Sequence, residues 1–172
     1  MTIYNNLYQY DLRLLLWCRK SISSYNFVSI VLIISKSGDG YIQLLLPALY
    51  YLISSKAQAC FFLLAMTTFI LERLLYFCLK HTLRRRRPPQ VVPYFRSIVQ
   101  ASDQFSFPSG HAMAAFTLAG LFTFHLGVIA LPLYIWAGLV AISRVILGVH
   151  FPTDIVAGAL FGTILVYIMV VL

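Results

Sequence analysis

The stretch SRVILGVHFPTD, residues 143–154, places an arginine, a histidine and an aspartate within twelve positions between two long apolar runs. Only 10% of the chain is charged, so this grouping marks chemistry rather than solvation. Pro152 fits the first position of a helix, where its preset φ helps and its missing amide hydrogen costs nothing. Gly148 falls where the preceding helix would end in a left-handed residue. His150 then sits in a tight link between two helices. Asp154, in the first turn of the second helix, can fold back to the imidazole as its carboxylate partner.

Outward from this stretch, 172 residues with 60% hydrophobic content and a mean hydropathy of +0.84 read as one membrane-embedded, all-α domain over 1–172. The net charge of +8 would point to nucleic acid in a soluble protein. Here no polar scaffold presents a basic face, which excludes nucleic acid and leaves anionic lipid head groups or a phosphate-bearing substrate as partners. Cys18, Cys60 and Cys78 are odd in number and never form a CxxC pair, so no disulfide framework or zinc site is indicated. The five carboxylates, Asp11, Asp39, Glu72, Asp103 and Asp154, are a poor supply for a magnesium or calcium cage. The expectation is no metal and no cofactor, with side-chain cations neutralising phosphate.

Residues 1–20 are not a cleavable signal, because Asp11, Arg13, Arg19 and Lys20 interrupt the apolar run. Tyr4, Tyr8, Leu12 and Leu15 share one helical face and Asn5, Gln9 and Arg13 another, the pattern of an amphipathic helix lying in the membrane interface. Apolar runs follow at 21–36, 41–55, 57–79, 109–126, 128–147 and 153–172, which predicts a six-helix transmembrane bundle. The first two runs are short, and Ser37-Gly38-Asp39-Gly40 separates them as a turn. Parity across six spans puts that turn, the polar connection at 80–107 and the 147–152 link on one face, with both termini on the other. A count of positive charges favours the cytoplasm for the motif face, but residues held by chemistry report topology poorly.

Two further blocks complete the constellation. KHTLRRRRP, residues 80–88, puts Lys80 and Arg87 seven apart, on one face of a continued helix that Pro88 and Pro89 then forbid. Arg84, Arg85 and Arg86 read equally well as a basic cluster against anionic lipid. FPSGH, residues 107–111, opens a helix whose N-terminal amides at Ser109 and Gly110 form an anion site, with His111 beside it. Arg144, costly in lipid, suits a polar cavity and bidentate phosphate binding. Together Lys80, Arg87, Ser109, Gly110 and Arg144 make a cationic cradle that a phosphoryl group fits. His150 can attack phosphorus in line while His111 protonates the departing oxygen and then activates water. With both histidines near their ordinary pKa of about 6.5, the rate should be bell-shaped in pH.

The three blocks Lys80-x6-Arg87-Pro88, Pro108-Ser109-Gly110-His111 and Ser143-Arg144-x5-His150-x3-Asp154 resemble the full signature of the type 2 phosphatidic acid phosphatase superfamily, the membrane lipid phosphate phosphatases. The resemblance runs from about residue 36 to 172, and Gly38-Asp39-Gly40 is similar to small bacterial members. It implies a six-span bundle in a bacterial inner membrane with the site facing the periplasm or exterior. It also implies His150 as nucleophile, Asp154 as its orienting partner, His111 as general acid and base, and the five cradle residues as phosphate ligands. Undecaprenyl pyrophosphate leads the implied substrates, with lipid A 1-phosphate and phosphatidylglycerophosphate as alternatives. A binding or transport protein for anions is the reading from another class, but it gives no reason for a His-Asp pair opposite a second histidine.

Outside the signature, Glu72 and Arg73 lie within span three and are expected to pair with a neighbouring helix. His125 reads as interfacial and His81 as pointing elsewhere. Asp103 is expected either to cap the 80–107 loop or to tune the site, and the sequence leaves that choice open.

Overall fold

The computed structural model of the protein describes residues 2–20, 24–53, 59–101 and 103–171. Side chains at 1–5, including Tyr4 and Asn5 of the two expected faces, lie outside the described residues, as do the run ends at 55 and 57. The helices are α1 (Thr2–Lys20), α2 (Tyr25–Ser37), α3 (Tyr41–Ile53), α4 (Ala59–Leu83), α5 (Pro88–Val91), α6 (Gly110–Leu126), α7 (Pro132–Ile146) and α8 (Pro152–Val171). A 3-10 turn, Gly127–Ala130, joins α6 to α7. Prolines open α5, α7 and α8, each at a position where the missing amide hydrogen breaks no helical bond. Pro88 therefore starts a one-turn helix, where the sequence alone had it forbidding one.

α6 is the hub, packed against α4, α7 and α8. Its run Ala112, Met113, Ala114, Ala115, Leu118, Ala119, Leu121 and Phe122 is buried on every side, as expected of a helix apolar all round. Small residues let α8 approach closely: a Cβ at Gly158 would stand 2.5 Å from the Ser109 carbonyl oxygen. The main apolar cluster, around Phe61, Phe69, Leu118, Leu121 and Phe122, lies toward the end of α6 remote from Gly110.

Among the described residues, three helices are long and apolar enough to cross a membrane, Ala59–Leu83, Gly110–Ala130 and Pro152–Val171, and α2 with α3 passes as a pair bent by 54°. α7 is shorter, with 15 residues. α2 and α3 have 13 residues each, about 20 Å at 1.5 Å per residue, which falls short of a hydrocarbon core of about 30 Å. Together they have the length and composition of one crossing, bent at the Gly38-Asp39-Gly40 turn, and Asp39 of that turn borders the site. Beyond it Tyr50 of α3 meets His125 at the far end of α6, at 3.1 Å.

The expected amphipathic helix is present as α1, but its apolar stripe faces protein. Tyr8, Leu12, Leu15 and Cys18 pack on Val145, Phe151, Phe95 and Ile155, while Gln9 and Arg13 are exposed. Asp11, 2% exposed, accepts the Thr153 amide at 2.9 Å and so caps the start of α8. That contact holds the middle of α1 against the start of α8, at the site end of the bundle.

Candidate active site

His150 is fixed by the way α7 ends. Leu147, Gly148 and Val149 donate to the carbonyls of Ser143, Val145 and Arg144, and Gly148 takes φ +77°. A side chain there would be strained and would stand 2.8 Å from the Phe95 ring, so glycine is required. The turn buries His150, 2% exposed. Its Nε2 lies 3.4 Å from Arg87 Nη1, which can only donate, so Nε2 holds the lone pair and the proton sits on Nδ1. Nδ1 stands 3.7 Å from Asp154 Oδ2 and has no hydrogen-bond partner. The expected pair is present but open. Burial, reinforced by Arg87 and Arg144 and only partly opposed by Asp154, pushes the His150 pKa down to about 4.

Asp154 is fully buried, and its other partners explain the gap. Oδ2 accepts the Phe151 amide at 2.8 Å and the Ser106 hydroxyl, and Oδ1 accepts Arg85 Nη1 at 2.7 Å. Arg85 also reaches Asp11 at 2.6 Å and stacks over Phe151 at 4.3 Å. Sequence reasoning grouped Arg85 with Arg84 and Arg86 as a cluster against lipid. The helix ends at Leu83, Arg84 turns left-handed at φ +47°, and only Arg85 is thereby directed inward while its neighbours stay exposed.

Arg87 and Lys80 are both buried, at 6% and 2% exposed. Arg87 donates to the Val149 carbonyl at 2.6 Å and to the Asp103 carbonyl at 3.1 Å, and its Nη2 pairs with Asp103 Oδ1. Lys80 donates to Tyr76 Oη at 2.6 Å and to Asp103 Oδ2 at 2.7 Å, and Tyr76 itself donates to Oδ2 at 2.6 Å. Although burial works to raise it, these donors hold the Asp103 carboxyl well below the usual carboxylate range. Asp103 thus resolves its open choice as a bridge between the two expected phosphate ligands.

Across the site, His111 Nε2 lies 2.7 Å from Asp39 Oδ1 on the α2–α3 turn. Arg144 donates to Ser35 Oγ at 2.6 Å, leaving its Nε unpartnered. Ser109 caps α6 with no side-chain bond, and its buried hydroxyl has no partner. Its amide, expected to serve an anion, instead donates to the Asp154 carbonyl at 3.0 Å. Buried Gln43 on α3, not foreseen, also presents an unpartnered Oε1.

These groups border a cavity of about 730 Å³ lined by Arg87, Gly110, His111, Arg144 and His150, with Asp39, Asp103 and Gln43. Lys80, Ser109 and Asp154 stand outside its lining, and Lys80 faces a second cavity of about 500 Å³. Glu72 and Arg73 pair with each other at 2.5 Å, where a neighbouring helix was the expected partner, and Arg73 reaches α6 only at the Gly110 carbonyl, 3.3 Å away. His81 bonds its own helix at the Phe77 carbonyl, 2.8 Å away.

The PAP2 superfamily profile matches residues 44–172. Phosphatidylglycerophosphatase B of Bacillus subtilis (strain 168) is 39% identical over 119 residues, which cover 62% of this chain and 55% of that protein. An undecaprenyl-diphosphatase of Sulfolobus acidocaldarius is 29% identical over 140 residues, 78% of this chain and 65% of that one. This chain therefore spans less than two thirds of either relative. The crystal structure of a transmembrane PAP2 type phosphatidylglycerolphosphate phosphatase from Bacillus subtilis superposes with a TM-score of 0.80 at 27% identity, covering 96% of this chain and 85% of that one.

Proposed function

This chain belongs to the PAP2 superfamily, and on that premise we propose that it is a metal-independent phosphatase of a membrane lipid phosphate or diphosphate, acting through a phosphohistidine. The observation that carries the reading is His150 Nε2 at 3.4 Å from Arg87 Nη1, beside a cavity that His150 and Arg87 line together with His111 and Arg144. As a substrate phosphoryl group enters, Arg87 Nη1 transfers its hydrogen bond from Nε2 to a phosphoryl oxygen. Nε2 then forms the N–P bond while the P–O bond to the lipid breaks, and His111 gives its proton to the departing oxygen. Water next attacks phosphorus, His111 takes its proton, and the N–P bond breaks to release inorganic phosphate. Arg87, Arg144 and the Ser109 hydroxyl carry the equatorial charge, the task that a divalent metal performs elsewhere.

The relatives named for phosphatidylglycerophosphate and undecaprenyl diphosphate support a lipid substrate. Undecaprenyl pyrophosphate leads, with phosphatidylglycerophosphate and lipid A 1-phosphate as the lipids to set beside it. We place α1 in the membrane interface and the site toward the periplasm or exterior.

The test is phosphate release by detergent-purified protein from each lipid, beside His150→Ala. Release that survives EDTA and vanishes in the variant is expected. Phosphate binding by both proteins with release by neither would favour an anion binder.

A further inference from the structure

The contacts of Asp103 are those that a phosphoryl group would make. One carboxylate oxygen takes Lys80 Nζ at 2.7 Å and Tyr76 Oη at 2.6 Å, and the other takes Arg87 Nη2. Two oxygens of one anion are thus divided between the lysine and the arginine proposed as phosphate ligands. A phosphate offers the same two-oxygen edge with more charge.

Two more observations concern the room this anion has to leave. Asp103 lies in the 92–109 connection rather than on a helix, and a third of its side chain is exposed, whereas Lys80 is buried. It also stands in the wall between the two cavities, since Arg73, Tyr76 and Asp103 line both. The second cavity, bordered by His81, Gln104 and Phe105, gives the carboxylate room on the side away from His150. While Asp103 is in place, Lys80 does not face the catalytic cavity at all.

We infer that Asp103 is a built-in stand-in for the substrate's phosphoryl group, bridging Lys80 and Arg87 in the empty enzyme and exchanged for phosphate at each turnover. Substrate phosphate displaces the carboxylate toward the second cavity, and Lys80 and Arg87 then close on the phosphoryl oxygens. After hydrolysis the carboxylate returns and helps expel inorganic phosphate. No covalent bond changes in either exchange. The inference rests on the phosphatase reading for its role in turnover, but the competition between carboxylate and phosphate does not need catalysis.

The experiment compares wild type with Asp103→Asn, Asp103→Glu and Tyr76→Phe, using inorganic phosphate as the probe. Binding is read by the phosphate-induced rise in Tm and by competitive inhibition of lipid hydrolysis. Asp103→Asn should tighten phosphate binding and lower KM by about tenfold, the scale of one charge-assisted contact, and kcat should fall as product release slows. Asp103→Glu, which keeps the charge but not the length of the bridge, should tighten phosphate less than Asp103→Asn, and Tyr76→Phe, which loosens the carboxylate and keeps its charge, should likewise tighten it by a smaller factor. Unchanged or weaker phosphate binding in Asp103→Asn and Tyr76→Phe would overturn the inference and make Asp103 a scaffold for the two cations. Should Asp103→Asn not fold, Tyr76→Phe decides alone. If wild type released no phosphate from any lipid while Tyr76→Phe and Asp103→Asn still bound it more tightly, the stand-in would hold and the phosphatase reading would fail.

Discussion

Arg85 and Asp154 form a 2.7 Å ion pair in which the carboxylate is fully buried. The same guanidinium holds Asp11 of α1 at 2.6 Å, and Asp11 accepts from Thr153 at the start of α8. One side chain thus ties the N-terminal helix, the 84–87 turn and the partner of His150 into a single unit. Arg85 is a positioning residue, since it touches His150 only through Asp154.

Loss of that anchor should be visible in turnover more than in binding. Arg85→Ala is expected to lower kcat by about 10- to 100-fold with KM nearly unchanged, because a carboxylate released from Arg85 no longer fixes the imidazole. The pH profile separates this from general damage. With the positive charge beside Asp154 gone, the imidazolium form of His150 is less disfavoured even where its orientation is lost, so the acid limb should move to higher pH. Arg85→Lys, which keeps the charge and loses the fork that spans Asp11 and Asp154, should recover only part of the rate.

The acid limb of wild type is itself a test. A His150 pKa lowered to about 4 keeps the imidazole neutral, and therefore nucleophilic, far below the ordinary value of about 6.5 expected from sequence. Phosphohistidine trapped in a single turnover of an aryl phosphate, whose leaving oxygen needs no proton from His111, should hold its rate as pH falls through 6 and decline only near 4. The sign for stability agrees: a depressed histidine contributes stability that is complete above about 6.5 and is lost as pH falls toward 4. A limb centred near 6.5 would place His150 in a wetter site than the structure gives it.

The helices, the order of the three blocks and the link around His150 were legible because they rest on local signals, namely apolar runs, Pro152, Gly148 and a helix-opening serine. What escaped depends on tertiary geometry. Nothing local distinguishes Arg85 from Arg84 and Arg86, since the difference comes from Arg84 turning left-handed after Leu83. A turn signal at Gly38-Asp39-Gly40 reads the same whether the chain reverses or bends by 54°, so local sequence does not separate one span from two there. Asp103 pairs with Lys80 across 23 positions and Asp39 with His111 across 72, distances at which periodicity carries no information.

Asp39 offers a second expectation through His111. A carboxylate at 2.7 Å from Nε2 orients the imidazole for proton transfer, which a general acid needs. Asp39→Asn should therefore slow hydrolysis of an alkyl phosphate, whose leaving oxygen requires a proton, by about 10- to 100-fold. The same variant should act on an aryl phosphate with a good leaving group at close to the wild-type rate. Equal losses on both substrates would remove Asp39 from the proton-transfer step and leave it a structural member of the α2–α3 turn.

The last expectation concerns how α8 carries Asp154 to its place. Ser109 donates its amide to the Asp154 carbonyl at 3.0 Å, and the Ser109 carbonyl lies 2.5 Å from where a Gly158 Cβ would stand. Gly158→Ala must push α8 from the opening turn of α6, because the obstructing atom is backbone and cannot swing aside. The cost is expected at about 1–3 kcal/mol, typical of overpacking a tight contact, and should lower Tm. Activity should fall further than stability, since the same shift drags Asp154 and the Ser109 hydroxyl out of register with His150. By contrast, Gly138→Ala on α7, where no neighbour lies within 4 Å of the added carbon, should leave both Tm and turnover near wild type.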